Sequence, residues 1–293
     1  MTENRESRDA RSEWDKKIKC ELYNDHFQNY KRYNIQSAQL VIADIPYNLG
    51  NNAYASNVSW YIDGDNKNGA SDKAGKQFFD TDSDFRVAEF MHFCSTMLIK
   101  EPKETGKAPC MIVFCAFQQM QMVIEYGEKY GFKNSFPLIF IKNFSAQVLK
   151  ANMKVVGATE YAVVLYRDKL PKFNNHGKMI FNWMPWEVDN SYPKLHPTQK
   201  PIPLLKRLIS IFTDIGDTVI DPVAGSGSTL RAAAELGRNS YGFEIKKDFY
   251  KLAKEKMLSS IPISIPFEVP RMALQDAVQM DLSEMDLMIK ERG

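Results

Sequence analysis

The 293-residue chain carries 38 Lys and Arg against 36 Asp and Glu, a formal net charge of +2, with 44% hydrophobic and 25% charged residues. This is a globular composition, and it excludes a disordered chain or a uniformly basic nucleic-acid tail. There is no run of eighteen apolar residues, the polar start MTENRESRDARSEWDKK is unlike a secretory signal, and four cysteines without a CxxC pair accompany four histidines; a membrane protein, a disulfide framework and a zinc site are therefore not expected, and the expected setting is the reduced cytoplasm.

In chain order, strands are expected at residues 18–23 and 39–43, followed by a polar Gly/Asn/Asp/Ser-rich stretch at 49–84, too long for a simple connection. Residues 85–98 place Ala88, Met91, Cys94 and Leu98 at helical spacing. Further strands are expected at 110–117, 136–141 and 160–166, then an aromatic and lysine-rich segment at 168–195 with no clean period. A helix at 203–213, a strand at 218–221, a helix at 228–236 stopped by Gly237 and a strand at 240–244 complete the alternation. Beyond Ile261 the proline-punctuated IPISIPFEVP leads to an amphipathic helix carrying Leu274, Val278, Leu282, Met285 and Ile289. Seven strands alternating with helices predict a Rossmann-like α/β fold, a mostly parallel sheet covered on both faces. The expected division is a catalytic domain at 15–262, with a loop insertion at 49–84 and a small target-recognition segment at 168–195, and a C-terminal helical extension at 263–293.

Two motifs carry chemistry. In TVIDPVAGSGSTL (218–230) a strand ends at Asp221, a turn holds Gly225 and Gly227, and a helix begins. Glycines there let a ligand approach the backbone, and the helix start offers unpaired N–H groups. The next strand ends at Glu244, 23 positions after Asp221, where an acid can hold the two hydroxyls of a ribose. A dinucleotide fingerprint would need a third glycine where Leu230 stands, so an adenosyl ligand without a pyrophosphate fits better. Upstream, LVIADIPYNLG (40–50) runs an apolar strand into Asp44-Ile45-Pro46-Tyr47. Pro46 fixes its own φ and pushes Ile45 into extended backbone. The Asp44 carboxylate and the Ile45 carbonyl would then face the same way beside the Tyr47 ring. The tetrad reads either as a site for a planar amine or as a strand-ending turn with a packed tyrosine.

The tetrad, HPTQKP (196–201) and DPVAGSGST (221–229), in that order, resemble the β-type, circularly permuted S-adenosylmethionine-dependent DNA amino-methyltransferases. The likeness runs from about Ile18 to Met257. It implies that Asp44, Ile45, Pro46 and Tyr47 are catalytic, that Asp221, Gly225, Gly227 and Glu244 shape the cofactor pocket with Phe243 bordering the adenine, and that His196, Thr198, Gln199 and Lys200 close its other side. Asp25 either contacts the cofactor or caps the following helix. The family usually has Pro where Ile45 stands, but only the carbonyl is needed. By the same resemblance the substrate is adenine in DNA, flipped or single-stranded, with the cytosine amino group or a non-catalytic DNA-binding role as alternatives. A homodimer and a cognate restriction endonuclease are possible partners. Pro109-Cys110 opens an apolar strand and reads as a buried cysteine rather than a nucleophile for carbon-5 chemistry.

Charge is unevenly spread. Residues 142–207 hold eleven Lys/Arg and four Asp/Glu, so lysines interleaved with Phe173, Phe181, Trp183 and Trp186 would meet phosphates and bases. Alternatively, the tryptophans close a small core. The 49–84 segment is the expected loop over flipped base and cofactor.

Overall fold

The run Leu40–Ala43 is apolar without alternation because both of its faces are covered. Leu40 and Ile42 enter one core with Ile112, Phe114, Leu205 and Leu208, while Val41 and Ala43 enter a second with Phe90, Met91, Phe93 and Val113. The computed structural model describes residues 18–46, 85–143, 147–150, 154–177, 179–187, 189–196, 199–259 and 261. The expected loop at 49–84 and the expected C-terminal helix lie outside these residues, as do Tyr47 and Thr198.

The strands are β1 (Cys20–Tyr23), β2 (Leu40–Asp44), β3 (Cys110–Cys115), β4 (Asn134–Lys142), β5 (Gln147–Lys150), β6 (Val155–Gly157), β7 (Thr159–Tyr166), β8 (Trp183–Trp186), β9 (Thr218–Asp221) and β10 (Asn239–Phe243). The α-helices are α1 (Val87–Met97), α2 (Met120–Lys129), α3 (Ile202–Phe212), α4 (Ser228–Glu235) and α5 (Lys247–Leu252). The main sheet has eight strands in the order β1-β10-β9-β2-β3-β7-β4-β8, with β5 and β6 forming a separate hairpin. β7 runs antiparallel to both of its neighbours and every other pairing in the main sheet is parallel. α3 and α4 cover one face; α1 and α2 cover the other.

The mostly parallel, doubly covered sheet agrees with expectation, but it has one more strand than the seven foreseen. The extra strand, β8, comes from the segment expected to have no period, and it pairs with β4 at the edge of the sheet. Its residues alternate, Trp183 and Pro185 exposed, Met184 and Trp186 buried. The sequence WMPW conceals that alternation because no polar residue marks the outer face. Pro185 is tolerated because an edge strand has one unpaired side.

One feature of this order positions the site. β9 and β2 are parallel neighbours near the centre of the sheet, and the chain leaves them on opposite sides: from β9 it continues to β10, and from β2 to β3. Their carboxyl ends therefore flank the switch point where ligands of open α/β sheets bind. Asp221 ends β9 and Asp44 ends β2.

Candidate functional site

At the end of β9, Gly225 (φ 51°) and Gly227 (φ 77°) take left-handed backbone that a side chain would strain. Gly227 precedes the first residue of α4. The Gly225 N–H donates to Glu244 Oε2 at 2.9 Å, and the Lys246 N–H donates to Glu244 Oε1 at 2.7 Å. Glu244 thus braces the turn from the end of the adjacent strand, and burial raises its carboxyl above the usual range. Burial also pushes the Asp221 carboxyl up to about 7, with Asp44 and Glu244 adding to the rise and the Val223 N–H and Thr229 opposing it. Three carboxylates consequently share one end of the crevice.

Leu230, which stands where a dinucleotide fold would have its third glycine, is accommodated from the opposite side. A Cβ on Gly242 would lie 2.7 Å from Leu230 Cδ1 and 3.1 Å from the Asp221 carbonyl oxygen. The close helix–strand approach is retained, with the glycine moved to β10. Gly242→Ala is expected to cost about 1–3 kcal/mol through overpacking and to displace the turn. Adding Leu230→Ala should recover part of that loss in a thermal-melt double-mutant cycle, and strictly additive losses would contradict the contact.

On the β2 side, the Ile45 N–H donates to the Phe114 carbonyl at 3.2 Å, a bond that proline could not make. Ile45 is buried in the second core. The Pro46 carbonyl accepts from Gln119 Nε2 at 2.9 Å. Asp44 Oδ2 lies 2.5 Å from Lys200 Nζ, and that ammonium sits 5.2 Å from the Phe114 ring and 5.6 Å from the Trp186 ring.

The residues of HPTQKP divide their work. His196 packs on Phe249 (centroids 4.6 Å apart) and against Gly225, where an added Cβ would be 3.7 Å from His196 Cδ2. Burial, with Lys200 and Lys246 nearby, holds His196 down at about 4, so its imidazole is neutral at physiological pH. Gln199 turns back on its own loop, accepting from the Leu195 N–H at 3.0 Å and donating to the Pro193 carbonyl at 3.1 Å. Lys200, two residues before α3, turns towards Asp44. Tyr192 anchors the approach through a 2.8 Å bond to Glu235, which also pairs with Lys206 and Arg231.

Asp25 is occupied by local structure: its carboxylate accepts from the His26 N–H, the Asn29 amide and the Tyr33 hydroxyl, and it pairs with Arg32. These bonds tie Asp25 to the 3-10 turn that follows, whose N-cap is His26, with the side chain of His26 accepting from the Gln28 N–H. Trp186 is buried against Phe140, as the small-core alternative expects, whereas Trp183 is exposed and stacked on Phe181. Within the basic stretch, Lys142 pairs with Glu160, Lys172 with Asp214 and Asp217, and Lys206 with Glu235. Cys110 is fully buried in β3 and its thiol is pushed far up by burial.

Residues 38–255, which contain the whole of this site, match the N6/N4 DNA methylase family. The chain belongs to that family. The methylase is 25% identical to DNA adenine methyltransferase YhdJ of Escherichia coli K12, over 80% of this chain and 81% of that protein. It is 26% identical to type II methyltransferase M2.DpnII of Streptococcus pneumoniae, over 80% and 88%. It is 32% identical to type II methyltransferase M.MjaI of Methanocaldococcus jannaschii over 50% of this chain and 56% of that protein. Among solved structures, the M1.HpyAVI complex with S-adenosylmethionine aligns with a TM-score of 0.57 at 21% identity, covering 81% of this chain and 98% of that one. The PvuII cytosine-N4-specific enzyme aligns with a TM-score of 0.57 at 14% identity, over 80% and 86%. The methylase therefore has the methyltransferase fold, with the β2 turn preceding the glycine turn in sequence.

S-adenosylmethionine fits the residues present. Its sulfonium and ammonium charges suit the neighbouring carboxyl groups of Asp221 and Glu244, and its nucleoside suits a turn whose left-handed Gly225 and Gly227 bring backbone close to a ligand. A cation entering beside Asp221 favours the ionised carboxylate. Binding should therefore release protons near neutral pH and weaken as the pH falls below about 7. Calorimetric titrations in two buffers of different ionisation enthalpy would show this release; identical enthalpies at pH 7 would contradict it.

Proposed function

We propose that the methylase transfers a methyl group from S-adenosylmethionine to the exocyclic amino group of adenine in DNA. The observation that carries this reading is the placement of Asp44 at the end of β2, directly beside the strand that ends in Asp221 and the glycine turn. An acceptor for an amine and a pocket for a cationic nucleoside thus share one crevice. The name of the YhdJ relative supports adenine as the base.

An exocyclic amine is a poor nucleophile because its lone pair is delocalised into the ring. Asp44 and the Ile45 carbonyl accept its two hydrogens, which lets the nitrogen become tetrahedral and frees the lone pair. When bound, S-adenosylmethionine supplies a methyl group activated by the sulfonium. The Asp44 carboxylate stabilises the positive charge that develops on nitrogen as its bond to the methyl carbon forms and the carbon–sulfur bond breaks, and the crevice holds the reactants in line. The methylated nitrogen then gives up one hydrogen to solvent as a proton. Tyr47 is assigned to stack on the base, which has to leave the duplex to reach Asp44. His196, Asp221, Gly225, Gly227 and Glu244 are assigned to the cofactor; Lys200 is assigned to Asp44. Buried Cys110 offers no thiolate for carbon-5 chemistry.

DNA is the expected macromolecular partner, in the cytoplasm; a homodimer and a cognate restriction endonuclease belong to the same reading. The test is transfer of labelled methyl from S-adenosylmethionine to unmethylated genomic DNA. Label should enter DNA with the wild-type protein, and absence of any transfer would overturn the reading.

A further inference from the structure

Gln119 lies just beyond β3, belongs to no motif, and is 73 positions from the turn it touches. Its side chain is 7% exposed and both ends are used. Oε1 accepts the Ala116 N–H at 3.0 Å, and Nε2 donates to the Pro46 carbonyl at 2.9 Å. The Ile45 N–H is held by the Phe114 carbonyl at 3.2 Å. Both restraints on the turn therefore come from β3 and its extension. The Ile45–Pro46 peptide, which carries the Ile45 carbonyl, lies between them. The proline ring fixes φ of Pro46; the bond from Gln119 orients the carbonyl that follows and so restrains ψ.

We propose that Gln119 is a positioning residue for methyl transfer, holding the Ile45–Pro46 peptide so that the Ile45 carbonyl faces the target amine. The proposal rests on the assignment of Asp44 and Ile45 as the acceptors of that amine. It adds a second anchor, outside the tetrad, whose loss degrades alignment without touching substrate or cofactor.

Gln119→Glu separates the two ends of the side chain. A carboxylate is the same size and keeps an acceptor for the Ala116 N–H, but it has no hydrogen to give the Pro46 carbonyl. In the full-length protein with genomic DNA, kcat should fall by about 10–100-fold, the scale of a misalignment of about 1 Å. The Kd for S-adenosylmethionine should stay near wild type, and the fall in thermal midpoint from the buried carboxylate should leave the protein folded at the assay temperature. Because a protonated carboxyl can donate again, the activity of Gln119→Glu relative to wild type should rise as the pH is lowered. Gln119→Met, neutral and of similar length, guards against a folding defect from buried charge and should show the kcat loss without the pH-dependent recovery. Wild-type kcat in both variants would overturn the assignment of Gln119 alone. So would a kcat loss matched by equal losses of cofactor affinity and stability. A wild-type protein inactive on DNA would overturn this assignment and the proposed function together.

Discussion

Asp44→Ala is expected to lower the rate of methyl transfer by about 10²–10³-fold, the scale seen when one preorganised group facing developing charge is removed. S-adenosylmethionine affinity should change by no more than about twofold, the tolerance expected of sites that do not share a contact. The geometry explains the separation. Asp44 ends β2, while the glycine turn and its brace Glu244 belong to β9, α4 and β10. Asp44→Asn sharpens the result, because it keeps the shape but presents an N–H group towards the amine and lacks the charge. Comparable losses in the two variants would show that an uncharged group of the same shape cannot replace the carboxylate. Single-turnover transfer and equilibrium dialysis measure the two quantities, and undiminished transfer by Asp44→Ala would remove Asp44 from the chemistry.

The second large effect is expected at Lys200. Lys200 is buried, but the Asp44 side chain left behind is 27% exposed, so removing the ammonium costs less than the ~2–5 kcal/mol of a fully buried, hydrogen-bonded charge pair. Lys200 is 6% exposed and lies 2.5 Å from Asp44 Oδ2, so Lys200→Met leaves the Asp44 carboxylate without its nearest cation. A fall in kcat of about 10–100-fold is expected, with cofactor affinity changed by less than about threefold. Lys200→Arg should recover only part of the rate, since a planar guanidinium does not occupy the space of an ammonium between Phe114 and Trp186. The cofactor role implied by the motif would give the opposite pattern, a weakened Kd with kcat preserved at saturation. Parallel titration and steady-state kinetics therefore separate the two assignments of this lysine.

The glycine turn was legible because strand, Gly225, Gly227 and helix are contiguous, and their chemistry is a property of local backbone. The Asp44 turn was legible for the same reason: Pro46 restricts its neighbours whatever the fold. Contacts made across the sheet were not legible. Lys200 reaches Asp44 over 156 positions, and Gln119 is a single amide in a segment with no motif. The requirement for glycine at 242 arises from Leu230 on α4 and appears only once β10 and α4 are packed. α2 was not legible because its apolar residues Met120, Met122, Val123, Ile124 and Tyr126 are spread around the helix rather than gathered on one face. The basic character of residues 142–207 suggested phosphate contacts, yet Lys142, Lys172, Lys200 and Lys206 each hold a carboxylate of the fold. Net charge counted those lysines without showing which anions had already claimed them.

The most direct measurement is nucleoside mass spectrometry of DNA methylated by the purified protein with S-adenosylmethionine. The expected product is N6-methyldeoxyadenosine, present with wild type and lost with Asp44→Ala. N4-methyldeoxycytidine as the product would contradict the assignment of the base, and 5-methyldeoxycytidine would contradict the amine chemistry assigned to Asp44 and Ile45.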